Sequence, residues 1–313
     1  MKKLFSALLV LAMVLSAAAS ACADWKEPTL YDGSEILGYP THYYLYDRDY
    51  YEAEDSQPGT VIQMKYVSSV YGEKTYKRTI NVYLPYGYDE NGTERYPIIY
   101  FLHGRGCDQN TLLGNPQTKN AIDHLISTGV AKPFILVTPT YYYDVRRNLM
   151  DIDLFAQEMR TEMMPLVEGT YRTYAETPDL AGFEASREMR AISGFSQGSM
   201  NTWYLIDLMA DCARNFLTFA GPALELPKLH AFMESDSPYA DDFYIYFCSG
   251  GEEDTTYEMC MELARQLPDD PHFRIGLDRN SDNIFVCLSD NIHQDLTSRY
   301  YFYNAFLDGL FSE

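Results

Sequence analysis

The chain has 313 residues, a formal net charge of −21 and no long apolar run after its first two dozen positions. A surface this acidic repels nucleic acid and anionic membranes, so neither is an expected partner, and the acidity is read as solubility. The length suits one large α/β domain with a short extension.

The first stretch, MKKLFSALLVLAMVLSAAASACA, has two lysines, an apolar run and a small-residue tail. This is the layout of a secretory signal over residues 1–23, which predicts export. Ala19-Ser20-Ala21 and Ala21-Cys22-Ala23 both fit a small-x-small cut. A lipoprotein signal with Cys22 acylated, and a lipid anchor at the cell surface, is the alternative. Six cysteines are present, none in C-x-x-C spacing, so no metal or redox motif is expected. Residues 24–60, rich in Tyr, Asp and Pro, predict an irregular extension packed on the domain.

From residue 61 the pattern settles into a catalytic-sized domain running to 313. Residues 61–71 and 78–84 alternate apolar and polar side chains, as antiparallel strands do. Residues 98–102, Ile-Ile-Tyr-Phe-Leu, are continuously apolar and predict a strand buried on both faces. Helical periodicity over 120–128, a strand at 134–137 and a long amphipathic helix over 154–171 follow. Strands are predicted at 189–194, 216–219, 243–247 and 284–288, and helices at 197–213, 255–267 and 296–311. Such alternation implies a mostly parallel sheet with helices on both faces, and the opening antiparallel strands fit its N-terminal edge.

The sharpest motif is Gly194-Phe195-Ser196-Gln197-Gly198, a G-x-S-x-G sequence between an apolar strand and an apolar-periodic helix. A strand turning abruptly into a helix holds the Ser in a strained conformation, and neighbouring chain crowds the positions two before and two after. The hydroxyl then projects beside a helix N-terminus, where developing negative charge is favoured. His103-Gly104-Arg105-Gly106 follows the earlier buried strand. Its loop is the expected source of one oxyanion donor, the Arg105 N–H, with the Gln197 N–H as the other. His103 precedes Ser196, the wrong chain order for a base in this fold, and is read as bracing its loop.

Three histidines follow Ser196. His230 lies in a charged helix-like stretch and His272 in a turn. His293 lies in a short loop between the last strand and the last helix, the position that returns to the carboxyl end of the sheet. It is the expected base. The acid should follow the 243–247 strand, where Asp254 is preferred while Glu253 and Glu252 compete. All three also suit the start of a helix. In this arrangement His293 takes the proton of Ser196 and returns it to the leaving group, while Asp254 fixes the imidazole tautomer.

Residues 185–198, ASREMRAISGFSQG, resemble the putative esterase family that includes feruloyl and acetylxylan esterases, carbohydrate esterase family one. Tyr100-Phe101-Leu102-His103-Gly104, Gly251-Glu252-Glu253-Asp254 and His293 before an aromatic-rich helix agree with it. The resemblance implies an α/β-hydrolase fold, a mostly parallel central sheet with antiparallel N-terminal edge strands and helices on both faces, with Ser196, Asp254 and His293 as a triad and no metal or organic cofactor. Gln197 and Ser199 replace the family's usual Met and Gly, and no Trp flanks His293. Tyr141, Tyr142, Tyr143 and Arg146, after a core strand, are expected to meet substrate by stacking and by hydrogen bonds. Export and family together point to an ester of ferulate or acetate on plant cell-wall hemicellulose. A small-molecule or siderophore esterase, and a catalytically silent carbohydrate-binding protein, are the alternatives.

Overall fold

A computed structural model describes residues 28–46, 49–52, 54–144, 149–294 and 297–312. The leader, Cys22 and Arg146 lie outside the described residues.

The core is an eight-stranded sheet in the order β10-β9-β8-β7-β5-β6-β4-β3. In chain order, β3 is Thr60–Ser68, β4 Tyr76–Leu84, β5 Ile98–Leu102, β6 Ile135–Thr138 and β7 Arg190–Phe195; β8 is Asn215–Phe219, β9 Tyr244–Ser249 and β10 Ile284–Leu288. β3 pairs antiparallel with β4, and β4 with β6; every other pairing is parallel. The mostly parallel sheet is the one the alternation predicts, and the layout is the α/β-hydrolase fold that the resemblance implies.

All five residues of β5 are buried, and their alternation divides the core. Ile98, Tyr100 and Leu102 join one apolar cluster, with the Gln197–Met209 and Tyr257–Gln266 helices. Ile99 and Phe101 join the other, with the Pro116–Ser127 and Ser298–Leu307 helices. Burying a large apolar side chain stabilises by about 1.5–3 kcal/mol, so both faces hold the sheet. The chain runs from β5 outward to β6, then back across to β7 on the other side. Open parallel sheets bind ligands at such a reversal, beyond the carboxyl ends of the strands. The loops after β5 and β7 meet there.

Two helices begin earlier than their expected spans. The helix expected from residue 120 begins at Pro116, because the Asn115 side chain caps it by accepting from the Gln117 N–H. The one expected over 154–171 begins at Ile152 under an Asp151 cap and passes through a π turn at Met159–Met163. Pro165 follows that turn; it has no N–H to give a carbonyl one turn back.

The extension is more regular than its sequence implied. β1 (Thr29–Asp32) and β2 (His42–Leu45) form an antiparallel pair. It is fastened to the last part of the domain: the Thr41 hydroxyl donates to the Val286 carbonyl at 2.5 Å, and the Tyr44 N–H donates to Asn304 Oδ1 at 2.5 Å. The five cysteines of the described residues are free thiols.

Candidate active site

Ser196 stands between the end of β7 and the Gln197–Met209 helix, with φ 55° and ψ −117°. A non-glycine residue reaches this region only where its surroundings force it. The crowding is visible at the flanking glycines. A Cβ on Gly194 would lie 2.3 Å from the backbone of Gly198, and one on Gly198 would lie 2.2 Å from the Leu102 carbonyl oxygen. The Ser196 N–H donates to the Phe219 carbonyl at 2.8 Å, so β8 also holds the turn.

The side chain of Ser196 meets the expected histidine. Ser196 Oγ lies 2.8 Å from His293 Nε2, and His293 Nδ1 lies 2.8 Å from Asp254 Oδ1. The Asp254 side chain is fully buried and that of His293 is 18% exposed. The imidazole is therefore open on one side while the charge behind it is shielded from water. The Phe195 ring packs on His293 at 4.8 Å between centroids. Geometry also separates the three competing carboxylates: Glu252 and Glu253 are exposed, and Asp254 is the one bonded to His293.

Thr256 is a participant that the sequence reading missed. Its N–H and its hydroxyl each lie 2.7 Å from Asp254 Oδ1, and the hydroxyl is also 3.0 Å from the Ala220 carbonyl. The Asp-x-Thr spacing ahead of a helix is ordinary turn chemistry, which could have pointed to it. These contacts fix the carboxylate that orients the imidazole.

The proposed oxyanion donors come from the two loops that meet at the sheet reversal. Gln197 is the first residue of its helix, so its N–H has no acceptor within that helix. Arg105 is exposed, in the loop that follows β5. His103 is buried in that loop: Nδ1 lies 2.8 Å from the Gly104 carbonyl and Nε2 lies 2.8 Å from Thr140 Oγ1. This is the bracing position its chain order implied.

The tyrosines expected to stack on substrate are placed differently. Tyr141 is wholly buried; its ring stacks on His103 at 4.4 Å, and its hydroxyl lies 3.0 Å from the His103 carbonyl. Tyr142 is 5% exposed. Tyr143 stacks on Tyr71 at 4.6 Å. Burial spends the first two on packing this end of the sheet, so neither ring presents a face to a cleft.

A cleft of about 350 Å³ beside the helix after Ser196 is lined by Met200, Trp203 and Leu224 together with Asp153, Asp207 and Lys228 among others, and shares no lining residue with the triad. A more open hollow contains His230, Asp270 and His272 and shares no lining residue with the triad. Those three residues come close enough to suggest a metal site. The two imidazoles, however, stack parallel at 4.1 Å with 9° between their planes. Parallel stacked rings cannot both aim in-plane lone pairs at one ion. The cluster is instead a carboxylate shared by two rings, with Asp270 2.9 Å from His230 Nε2 and 2.8 Å from His272 Nδ1.

Known proteins share this arrangement of sequence and fold. Residues 73–205 match the family described as "Putative esterase". Endo-1,4-beta-xylanase Y of Acetivibrio thermocellus is 31% identical over 257 residues, covering 80% of this chain and 23% of that protein. An endo-1,4-beta-xylanase/feruloyl esterase of Xylanibacter ruminicola is 28% identical over 167 residues, covering 50% of this chain and 21% of that protein. The chain thus spans less than a quarter of the length of either relative. A mutant of the feruloyl esterase module from Clostridium thermocellum, complexed with sinapinate, superposes with a TM-score of 0.70 and 28% identity, over 84% of this chain and 92% of that one.

Proposed function

We propose that the chain, whose residues 73–205 match the putative esterase family, is a secreted carboxylic ester hydrolase that removes feruloyl groups from hemicellulose. The observation that carries this reading is the hydrogen-bonded line from Ser196 Oγ through His293 to buried Asp254. A serine hydroxyl is a poor nucleophile until a base takes its proton, and His293 Nε2 is within proton-transfer distance. Attack on the ester carbonyl converts it to an alkoxide, which the Gln197 and Arg105 N–H groups receive. The same proton passes from His293 to the departing sugar oxygen, leaving a Ser196 acyl ester. Water then attacks that ester, with His293 again as base. Asp254 holds the ring in the tautomer that leaves Nε2 free to accept, and offsets the charge of the imidazolium.

The feruloyl group is favoured over acetyl by the likeness to a feruloyl esterase module bound to sinapinate. Export rests on the composition of residues 1–23. No helix among the described residues is long and apolar enough to cross a membrane.

The test is product release from feruloylated arabinoxylan and from acetylated xylan, with Ser196→Ala as the control. Ferulate release by the wild type and none by the variant is expected. Acetate release alone would move the assignment to acetyl esters. Polysaccharide binding without any release would favour the silent binder.

A further inference from the structure

We propose that Tyr142 is a positioning residue that sets the separation of the two oxyanion donors; this rests on the esterase reading above. The two N–H groups come from different loops, one after β5 and one after β7. Their spacing decides whether both reach a single oxygen, and a displacement of 1 Å is costly at such a site. One phenol spans the gap. The Tyr142 hydroxyl accepts from the Gly106 N–H at 3.2 Å and donates to Gln197 Oε1 at 3.1 Å. Gly106 follows Arg105 directly, and Gln197 is itself the second donor residue. Each hydrogen bond uses the hydroxyl in the one role still open to it, so both form together.

The phenol is itself held from behind. The buried Arg78 guanidinium donates to the Tyr142 and Thr140 carbonyls, each at 2.5 Å, and to Glu158 at 2.6 Å. The Tyr142 ring is packed against Tyr141 at 4.6 Å and His103 at 5.5 Å. On the far side, Gln197 Nε2 lies 3.3 Å from Met150 Sδ, which leaves its Oε1 directed at Tyr142. The chain Glu158–Arg78–Tyr142–Gln197 therefore runs from a buried ion pair to the edge of the oxyanion site. The Gln197 side chain, where the resemblance has Met, gives the phenol its acceptor.

The test compares wild type, Tyr142→Phe, Gln197→Met and the double variant. Phe keeps the ring packing and removes both hydrogen bonds. Turnover of methyl ferulate and affinity for an aryl boronic acid are measured, since the boronate on Ser196 is tetrahedral and places an oxygen in the donor site. In Tyr142→Phe, kcat should fall on the order of tenfold, below the ~10²–10³ lost with a donor itself. KM should stay within about twofold, and boronate affinity should weaken by the same factor as kcat/KM. Gln197→Met should lose less, and the double variant no more than Tyr142→Phe, because one bridge is being broken twice. Wild-type kcat and boronate affinity in Tyr142→Phe would overturn the proposal. So would additive losses, or a fall in melting temperature with unchanged kcat. A wild-type protein that neither turns over the ester nor binds the boronate would remove the esterase reading itself, and this bridge with it.

Discussion

Two buried carboxylates sit at opposite ends of the same sheet and are treated in opposite ways. Glu168, near the start of β7, has both oxygens satisfied. Arg190 donates to them at 2.8 and 2.7 Å, Tyr100 donates to Oε1 at 3.0 Å and Thr173 to Oε2 at 2.9 Å. Asp254, at the carboxyl end, gathers His293 and Thr256 on Oδ1, while Oδ2 is buried with no hydrogen-bond partner among the described residues. A charge neutralised by a fixed guanidinium is a structural element. A charge whose main partner is an imidazole is completed only when that ring is protonated, and in the proposed mechanism this happens during the reaction. The amino end of the sheet is thus built for permanence and the carboxyl end for a transient charge.

The largest expected effect tests the carboxyl end. Ser196→Ala and His293→Ala should each lower kcat by ~10⁴–10⁶, with the double variant hardly worse than either, because the residues act as a unit. Asp254→Asn should cost ~10⁴ by favouring the wrong tautomer. All three should melt close to the wild type. Esterase rates and thermal melts on the same preparations give the answer, and full activity in any variant removes that residue from the mechanism.

At the amino end the signs reverse. Glu168→Gln leaves the Arg190 guanidinium, only 1% exposed, without its counter-charge. Stranding one member of a buried pair costs about 3–5 kcal/mol. Urea titration should show that loss, while kcat of the folded fraction should stay near the wild-type value. A large drop in kcat at unchanged stability would mean that the two ends are not separate.

The same contrast marks what could be read from sequence. The Ser196 turn was legible because its five residues carry their own explanation: the strand before, the helix after and the glycines that crowding demands. His293 was legible from chain order. The acid was legible only as a preference for Asp254, since Glu252, Glu253 and Asp254 are chemically alike and adjacent, and it is the fold that brings Asp254 to a ring 39 residues further on. The tyrosines after β6 were misplaced for a related reason. Composition shows that a residue is aromatic, and burial decides whether its face is available. Tyr141 and Tyr142 pack inward under His103, which no local pattern reveals. Likewise β1 and β2 carry no strong alternating pattern of their own: Thr41 and Tyr44 fasten β2 to residues 286 and 304, and β1 pairs with β2.

The smallest expected effect lies away from both ends, at His272. Its hydrogen bond to Asp270 raises its pKa above the usual imidazole value, burial opposes this slightly, and a second bond to Glu234 at 3.0 Å adds to the rise. The stacked His230 ring also faces Asp270, and Glu258, Glu262, Arg265 and Asp269 share the hollow. A histidine with a raised folded-state pKa contributes stability that is complete below about pH 6.5, its unfolded value, and is lost as pH rises through the folded value. Asp270 runs the other way. Its pKa is lowered, with burial opposing and the hydrogen bonds from His272 and the nearby imidazoles prevailing, so its contribution persists above pH ~4 and fails only in acid. At pH 5.5 both contributions are present; at pH 9 that of His272 is gone. His272→Ala should therefore lower the melting temperature more at pH 5.5 than at pH 9, where the loss that remains is that of packing and of the neutral ring's hydrogen bond to Asp270. The pH-dependent part should be at most about 1 kcal/mol, since Glu234 is largely exposed and solvent screens the pair. An equal loss at both pH values would show that the Asp270 carboxylate does not hold a proton on this ring.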